Sequence, residues 1–185
     1  MPDTSRFLTA LGRVIRSLAG GRSTGATTGE ADAAAARASA NAGPVSPGRA
    51  GPSATVEIDP RRLRDVRLAY TPSRDGEPDP GEIVWTWVPY EERDGRGKDR
   101  PVAIVAASGS GDYLAVQLTS RAHDGDHDFV ALGDGAWDAS GRPSWARIDR
   151  VFRVRADGMR REAASLDARR YARITAALGE RYGWR

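Results

Sequence analysis

Arg100 closes the short basic run Gly97-Lys98-Asp99-Arg100, and Pro101 fixes the backbone immediately after it. On either side lie the strand-like Gly81-Glu82-Ile83-Val84-Trp85-Thr86-Trp87-Val88 and the β-branched, apolar 101–106. A guanidinium held rigidly between two strands presents a planar fork of donors that matches the oxygens of a phosphate. That chemistry points to nucleic acid rather than to a small metabolite. A second dense run, His123, Asp124, Asp126, His127 and Asp128, contains residue types that ligate divalent ions. With Gly125 in its middle and no helical periodicity around it, it reads as a solvated loop. Among the tryptophans, the strand residues Trp85, Trp87 and Trp145 read as packing residues, while the terminal Tyr182 and Trp184 would close the scaffold or contribute to a dimer surface. Trp137, set among Gly135, Asp138 and Gly141, is the one expected to be exposed and able to stack a base.

These side chains need a scaffold, and the hydropathy pattern describes a mainly β one. Ile83 to Val88 alternates, with Trp85 and Trp87 on one face and Val84, Thr86 and Val88 on the other. Further strands are expected over 101–106, 113–118, 129–132 and 145–154, separated by turns rich in Gly and Asp. Short strands at this spacing suggest a small barrel or sandwich. Leu166, Tyr171, Ile174 and Leu178 share one helical face, with Ser165 as the expected N-cap of a C-terminal helix. Asp59-Pro60 is a helix-start signal, and Leu63, Val66 and Leu68 supply an apolar side to a short element there.

The remaining length is organised differently. Over 1–19, Phe7, Leu8, Leu11, Val14, Ile15 and Leu18 have amphipathic helical spacing, and Arg13 and Arg16 interrupt what would be a secretory signal. Residues 20–54 are Ala, Gly, Ser, Thr and Pro with scattered Arg, too little apolar surface to offset ordering, so a disordered linker is expected. A flanking segment over 55–80 precedes the main domain, 81–185. With 185 residues and no cysteine, the chain has no thiolate chemistry and no disulfides, which suits a reducing, cytoplasmic setting. No run reaches the roughly 18 apolar residues of a membrane span. The net charge is only +3, and Lys98 is the sole lysine, so the pI of about 9.7 reflects arginine. That permits nucleic-acid binding without demonstrating it.

Gly81-Glu82-Ile83-Val84-Trp85 resembles the opening strand of the PemK/MazF family of toxin endoribonucleases. Arg100-Pro101 resembles that family's Arg-Pro motif, and Val116-Gln117-Leu118-Thr119-Ser120 its later Thr/Ser motif. Asp149-Arg150-Val151 and a terminal helix complete the order over 81–184. The resemblance implies a small SH3-like barrel of the PemK/MazF/CcdB type with a C-terminal helix, usually a homodimer. It implies cleavage of single-stranded RNA without a metal or other cofactor, under the control of a small antitoxin protein. The family's catalytic arginine and threonine fall on Arg100 and Thr119. The guanidinium would stabilise charge building on the phosphoryl oxygens as the 2′-hydroxyl attacks, leaving 2′,3′-cyclic phosphate and 5′-hydroxyl ends. The hydroxyl would donate to the same group or hold the nucleophile in line. Lys98, Asp99, Ser120, Arg121, His123 and Trp137 are the expected substrate contacts.

One departure bears on mechanism. Many relatives carry Gly-Ser-Glu-Gln before the Arg-Pro pair, and that glutamate falls here on Gly95. Asp99, Glu92 or Glu91 could act as the base instead, and the sequence does not choose among them. The alternative reading is therefore a barrel retained as an RNA- or protein-binding module. A third keeps the toxin character with gyrase as target.

Overall fold

The computed structural model describes residues 46–185, apart from 74, 109 and 110 and the side chain of Ala163. The expected N-terminal helix, and the expected linker up to residue 45, lie outside the described residues. Eight strands are present: β1 (Val56–Ile58), β2 (Glu82–Pro89), β3 (Gly97–Ala107), β4 (Asp112–Thr119), β5 (Phe129–Gly133), β6 (Ser144–Arg147), β7 (Val151–Arg155) and β8 (Arg160–Ser165). One α-helix, α1 (Ala168–Tyr182), follows them. Strand neighbours run β1-β7-β4-β3-β2-β8, with β6 added to β4 and β5 to β6, and every pairing is antiparallel. The fold is thus mainly β with one C-terminal helix. Its end strands β1 and β8 do not pair among the described residues, so hydrogen bonds do not close a barrel.

Alternation along the central strands sends side chains into two apolar clusters. Ala103, Val105, Leu114, Val116 and Leu118 join Ile83, Leu132, Tyr171, Ile174 and Leu178 under the helix. Val102, Ile104, Tyr113 and Ala115 join Val84, Val88, Phe152 and Val154 in the other. Burial on both faces explains why 102–106 reads as a continuous apolar run rather than an alternating one. Each fully buried aliphatic side chain contributes about 1.5–3 kcal/mol relative to an exposed one.

Three expectations need correction. The basic run at 97–100 is not a loop. It is the first part of β3, paired Pro89 to Gly97, Val88 to Lys98, Trp87 to Asp99 and Thr86 to Arg100, and the true hairpin loop is 90–96. Gly97 fits there because a Cβ would meet the Val88 carbonyl at 2.5 Å and the Trp87 indole nitrogen at 2.6 Å. The single strand expected over 145–154 is two. β6 pairs with β4 and β5, and β7 pairs with β1 and β4, with the chain turning over 148–150 as Ile148 N–H bonds to Asp128 O at 2.8 Å. The N-cap of α1 is Asp167, whose carboxylate accepts from Arg170 N–H at 2.8 Å, while Ser165 ends β8. That strand, Arg-Arg-Glu-Ala-Ala-Ser, carries no large apolar side chain and so gave no hydropathy signal.

At 59–62, Asp59 accepts from Arg61 N–H at 3.1 Å and caps a single 3-10 turn, Pro60–Arg62. Leu63, Val66 and Leu68 follow without regular structure and pack against the helix-side cluster. Residues 46–55 also lie on the sheet. Trp87 N–H bonds to Pro47 O at 2.9 Å, and the Thr86 hydroxyl, fully buried, lies 2.6 Å from both the Gly158 carbonyl and the Thr55 hydroxyl.

Candidate nucleic-acid interface and active site

The site arises where β4 changes partner. β3 and β4 pair as far as Val102 opposite Gln117, after which β4 pairs with β6, Leu118 to Ala146 and Thr119 to Trp145. Continuing the β3–β4 register by two residues aligns Arg100 with Thr119, at the point where the strands no longer bond. The opening is a cleft of about 420 Å³ lined by Arg100 and Thr119 together with Lys98, Asp99, Ser120 and Trp137. Its walls also include Trp85, Ser144, Arg142 and Glu162.

Neighbouring acids are occupied elsewhere, which leaves Arg100 available. Asp99 accepts from Arg160 Nη2 at 3.0 Å, and Arg160 also lies over the Trp85 ring at 5.5 Å and bonds Glu162 at 3.1 Å. Glu91 is held by Arg147. Arg100 itself, partly buried, makes no side-chain hydrogen bond or ion pair among the described residues. An arginine without a counter-ion, backed by a sheet, is suited to an anionic ligand. The Thr119 hydroxyl accepts from Arg121 N–H at 3.2 Å, an arrangement that fixes the oxygen and leaves its proton free to donate.

Trp137 is a wall residue but not an exposed one. It is only 6% exposed, its Nε1–H donates to the Ser144 hydroxyl at 3.1 Å, and Gly135 lies so close that a Cβ there would overlap the ring. Burial of the indole between Gly135 and Ser144 overrides the polar, glycine-rich context that suggested exposure. Arg121 and His123 do not line the cleft. The His123 ring stacks on Phe129 at 3.5 Å between centroids, with its Nδ1 3.6 Å from Asp126. Among the described residues no group of three or more His, Asp or Glu side chains is placed to hold a metal.

Arg100 also lines a second cleft, of about 500 Å³, with Pro89, Tyr90, Glu91, Glu92, Arg96, Gln117, Arg147 and Arg150. Four of these side chains are arginines, and three of them are paired, Arg96 with Asp94, Arg147 with Asp149 and Arg150 with Glu57, which leaves Arg100 without a counter-ion among the described residues. Arg147 donates through Nε and Nη2 to both oxygens of Asp149, at 2.7 and 2.8 Å, and through Nη1 to Glu91. The Asp149 hydrogen bond, opposed by burial, raises the Arg147 pKa further, and the Arg147 hydrogen bond and charge lower that of Glu91. A carboxylate so stabilised is a weak base. Arg150, 7% exposed, donates to Glu57 at 2.5 Å and to Pro89 O at 3.0 Å. Gln117 is 8% exposed, with no side-chain hydrogen bond among the described residues. Gln117, Arg147 and Arg150 were not singled out as site residues from sequence. Their signals were a lone amide inside an apolar strand and charges interrupting the supposed long strand at 147–150.

Arg100, without an ion-pair partner among the described residues, and Thr119 thus line one cleft of an antiparallel β protein, where the β3–β4 ladder ends. The chain belongs to the PemK-like, MazF-like toxin family of type II toxin–antitoxin systems, whose sequence profile matches residues 79–181. Solved structures similar to it include the MazE–MazF complex of Deinococcus radiodurans, form II, at 21% identity and TM-score 0.44, covering 57% of this chain and 96% of that one. An endoribonuclease from a Mycobacterial species is 18% identical, with TM-score 0.42 and 58% and 92% covered. The Mycobacterium tuberculosis toxin MazF-mt6 is 16% identical, with TM-score 0.41 and 55% and 98% covered. No curated protein matches the chain. Among the described residues no helix is long and apolar enough to cross a membrane.

Proposed function

We propose that this chain is a toxin-type endoribonuclease that cleaves single-stranded RNA at the cleft between β3 and β4. What supports this reading is that Arg100, with no counter-ion among the described residues, lines one cleft with Thr119 beyond the end of the β3–β4 ladder. In the reaction the ribose 2′-oxygen attacks the adjacent phosphorus, its proton passes to a base, the bond from phosphorus to the 5′-oxygen breaks, and the 5′-oxygen takes up a proton from solvent water. Cyclic phosphate and 5′-hydroxyl ends result. Arg100 stabilises the charge that accumulates on the non-bridging oxygens, and it remains protonated throughout. Thr119 donates its free proton to the same phosphoryl group. Lys98 and Ser120 line the cleft beside them and contact the flanking backbone. The chemistry calls on no metal.

A small antitoxin whose acidic segment occupies the cleft would hold the enzyme inactive, and a homodimer is the proposed assembly. The second reading, a binding module, draws on one observation: both Asp99 and Glu91 are tied to arginines, so neither is poised as a base. Purified protein incubated with single-stranded RNA in EDTA, beside Arg100→Ala, separates the two. Cleavage to cyclic phosphate ends that is lost in the variant supports the nuclease. RNA binding with no cleavage refutes it in favour of the module.

A further inference from the structure

We propose that Arg147 is a second phosphate-binding residue, and that Glu91 is the internal carboxylate which an RNA phosphate displaces from it. The inference deepens the nuclease reading and rests on it for the choice of ligand.

The geometry of Arg147 is that of a receptor already oriented. Asp149 takes Nε and Nη2 together, the Phe129 ring lies 5.6 Å from the guanidinium carbon, and Nη1 is left directed toward the loop 90–96. Among the described residues only Glu91 meets it there. Glu91 is unlike Asp149: its side chain is 62% exposed, against 19%, and it stands on a hairpin loop that needs positive φ at Arg93 and Gly95. The Glu91 end of this ion pair faces solvent, so it is a contact that a ligand can replace. A phosphate presents several charged oxygens where Glu91 presents one contact, and charge-assisted bonds from a preorganised arginine are among the stronger ones in proteins.

The surroundings favour an anion from outside. Arg100 lines the same cleft, so one strand of RNA entering it meets both guanidiniums. Gln117 forms part of that cleft between the strands carrying them, with an amide that no described residue satisfies. Backbone binding thus extends from Arg100 toward Arg147, across the strands, as well as along β3 toward Lys98. Arg147 contributes grip on a neighbouring phosphate and no chemistry at the scissile one.

The test is binding of a fully 2′-O-methylated single-stranded RNA, which cannot be cleaved, to the whole chain by fluorescence anisotropy over a range of salt. Arg147→Ala is expected to weaken binding about tenfold and to reduce the slope of log K against log salt by about 0.7, the loss of one phosphate contact. Glu91→Gln retains Arg147 and its bonds to Asp149, and is expected to tighten binding severalfold. If Arg147→Ala proves misfolded by circular dichroism, Glu91→Gln alone decides. Binding unchanged in Glu91→Gln, or an unchanged salt slope in folded Arg147→Ala, overturns the inference. The nuclease reading fails separately, if unmodified RNA is bound but never cut. Absence of any RNA binding by the unaltered chain overturns both.

Discussion

Replacing Thr86 by valine tests whether residues 46–55 belong to the folded domain. Thr86 is fully buried and lies opposite Arg100 in the β2–β3 ladder. Its hydroxyl has one proton, which goes to the Gly158 carbonyl at 2.6 Å, and it accepts from the Thr55 hydroxyl, also at 2.6 Å. Valine has nearly the same shape, so no cavity forms, but two buried polar groups lose their partner. Leaving each unsatisfied costs about 1–3 kcal/mol. The methyl that replaces the hydroxyl returns no more than about 0.8 kcal/mol. The net loss is about 2–4 kcal/mol, which for a chain of this size lowers Tm by roughly 5–15 °C.

The assay is thermal unfolding of Thr86→Val, Thr55→Val and the double variant. Because the two hydroxyls bond one another, the double variant should be less destabilised than the sum of the singles by about 1 kcal/mol. Amide exchange supplies a local readout. Trp87 N–H, which donates to Pro47 O, should exchange faster in Thr86→Val while the β3–β4 amides stay protected. A Tm within 2 °C of the parent would refute the reasoning. So would strict additivity, which would mean that the Thr55–Thr86 bond is not made.

Two further predictions concern the site and the core. Thr119→Val should lower RNA cleavage about tenfold, and Arg100→Ala about 10²–10³-fold; if both act on one phosphoryl group, the double variant should fall short of the product of the two, as single-turnover rates can show. Tyr171 donates to the carbonyls of Val105 at 2.8 Å and Ala69 at 3.0 Å, and burial raises its pKa to about 12. Because its unfolded value is about 10, the stability it confers is complete below pH 10 and is lost as pH rises toward 12. Absorbance titration should show one tyrosine ionising late, and Tyr171→Phe should flatten the alkaline loss of stability.

What could be read from the sequence followed side-chain periodicity. β2, β4 and the buried face of α1 are where alternation or a 3.6 repeat is clean, and they matched. The failures share a cause. β8 is held by pairing with β2 through residues such as Arg161, whose guanidinium bonds both oxygens of Glu82 at 2.8 and 2.9 Å, so its stability does not register as hydropathy. The basic run at 97–100 looks like a loop because it is polar, yet its backbone is a full ladder opposite β2. Trp137 looks exposed because its neighbours in sequence are small and polar, whereas Ser144 and Arg170, whose guanidinium carbon lies 5.6 Å from its ring, come from elsewhere in the chain. Arg100 and Thr119 were legible as a pair only through resemblance, since nineteen positions separate them and only register aligns them.

The same logic bears on how an arginine-rich chain could hold the one specific phosphate site proposed above. Charge alone would distribute affinity over the surface, but most cleft arginines are already engaged: Arg160 with Asp99 and Glu162, Arg150 with Glu57, Arg142 with Asp138, Arg96 with Asp94. What differs at Arg100 is its backbone setting. β4 pairs with β7 and then β6, while its ladder with β3 ends at Val102 opposite Gln117, so Arg100 and Thr119 lie beyond the last β3–β4 pair. A free carboxylate beside Arg100 would cancel the site, and Asp99, which alternates away from Arg100 along β3 although it lines the same cleft, is bound by Arg160 instead. Selectivity for phosphate therefore comes from strand divergence and side-chain alternation together. Moving Asp99 by one residue, with the composition unchanged, would put it on the face of Arg100 and remove the attraction.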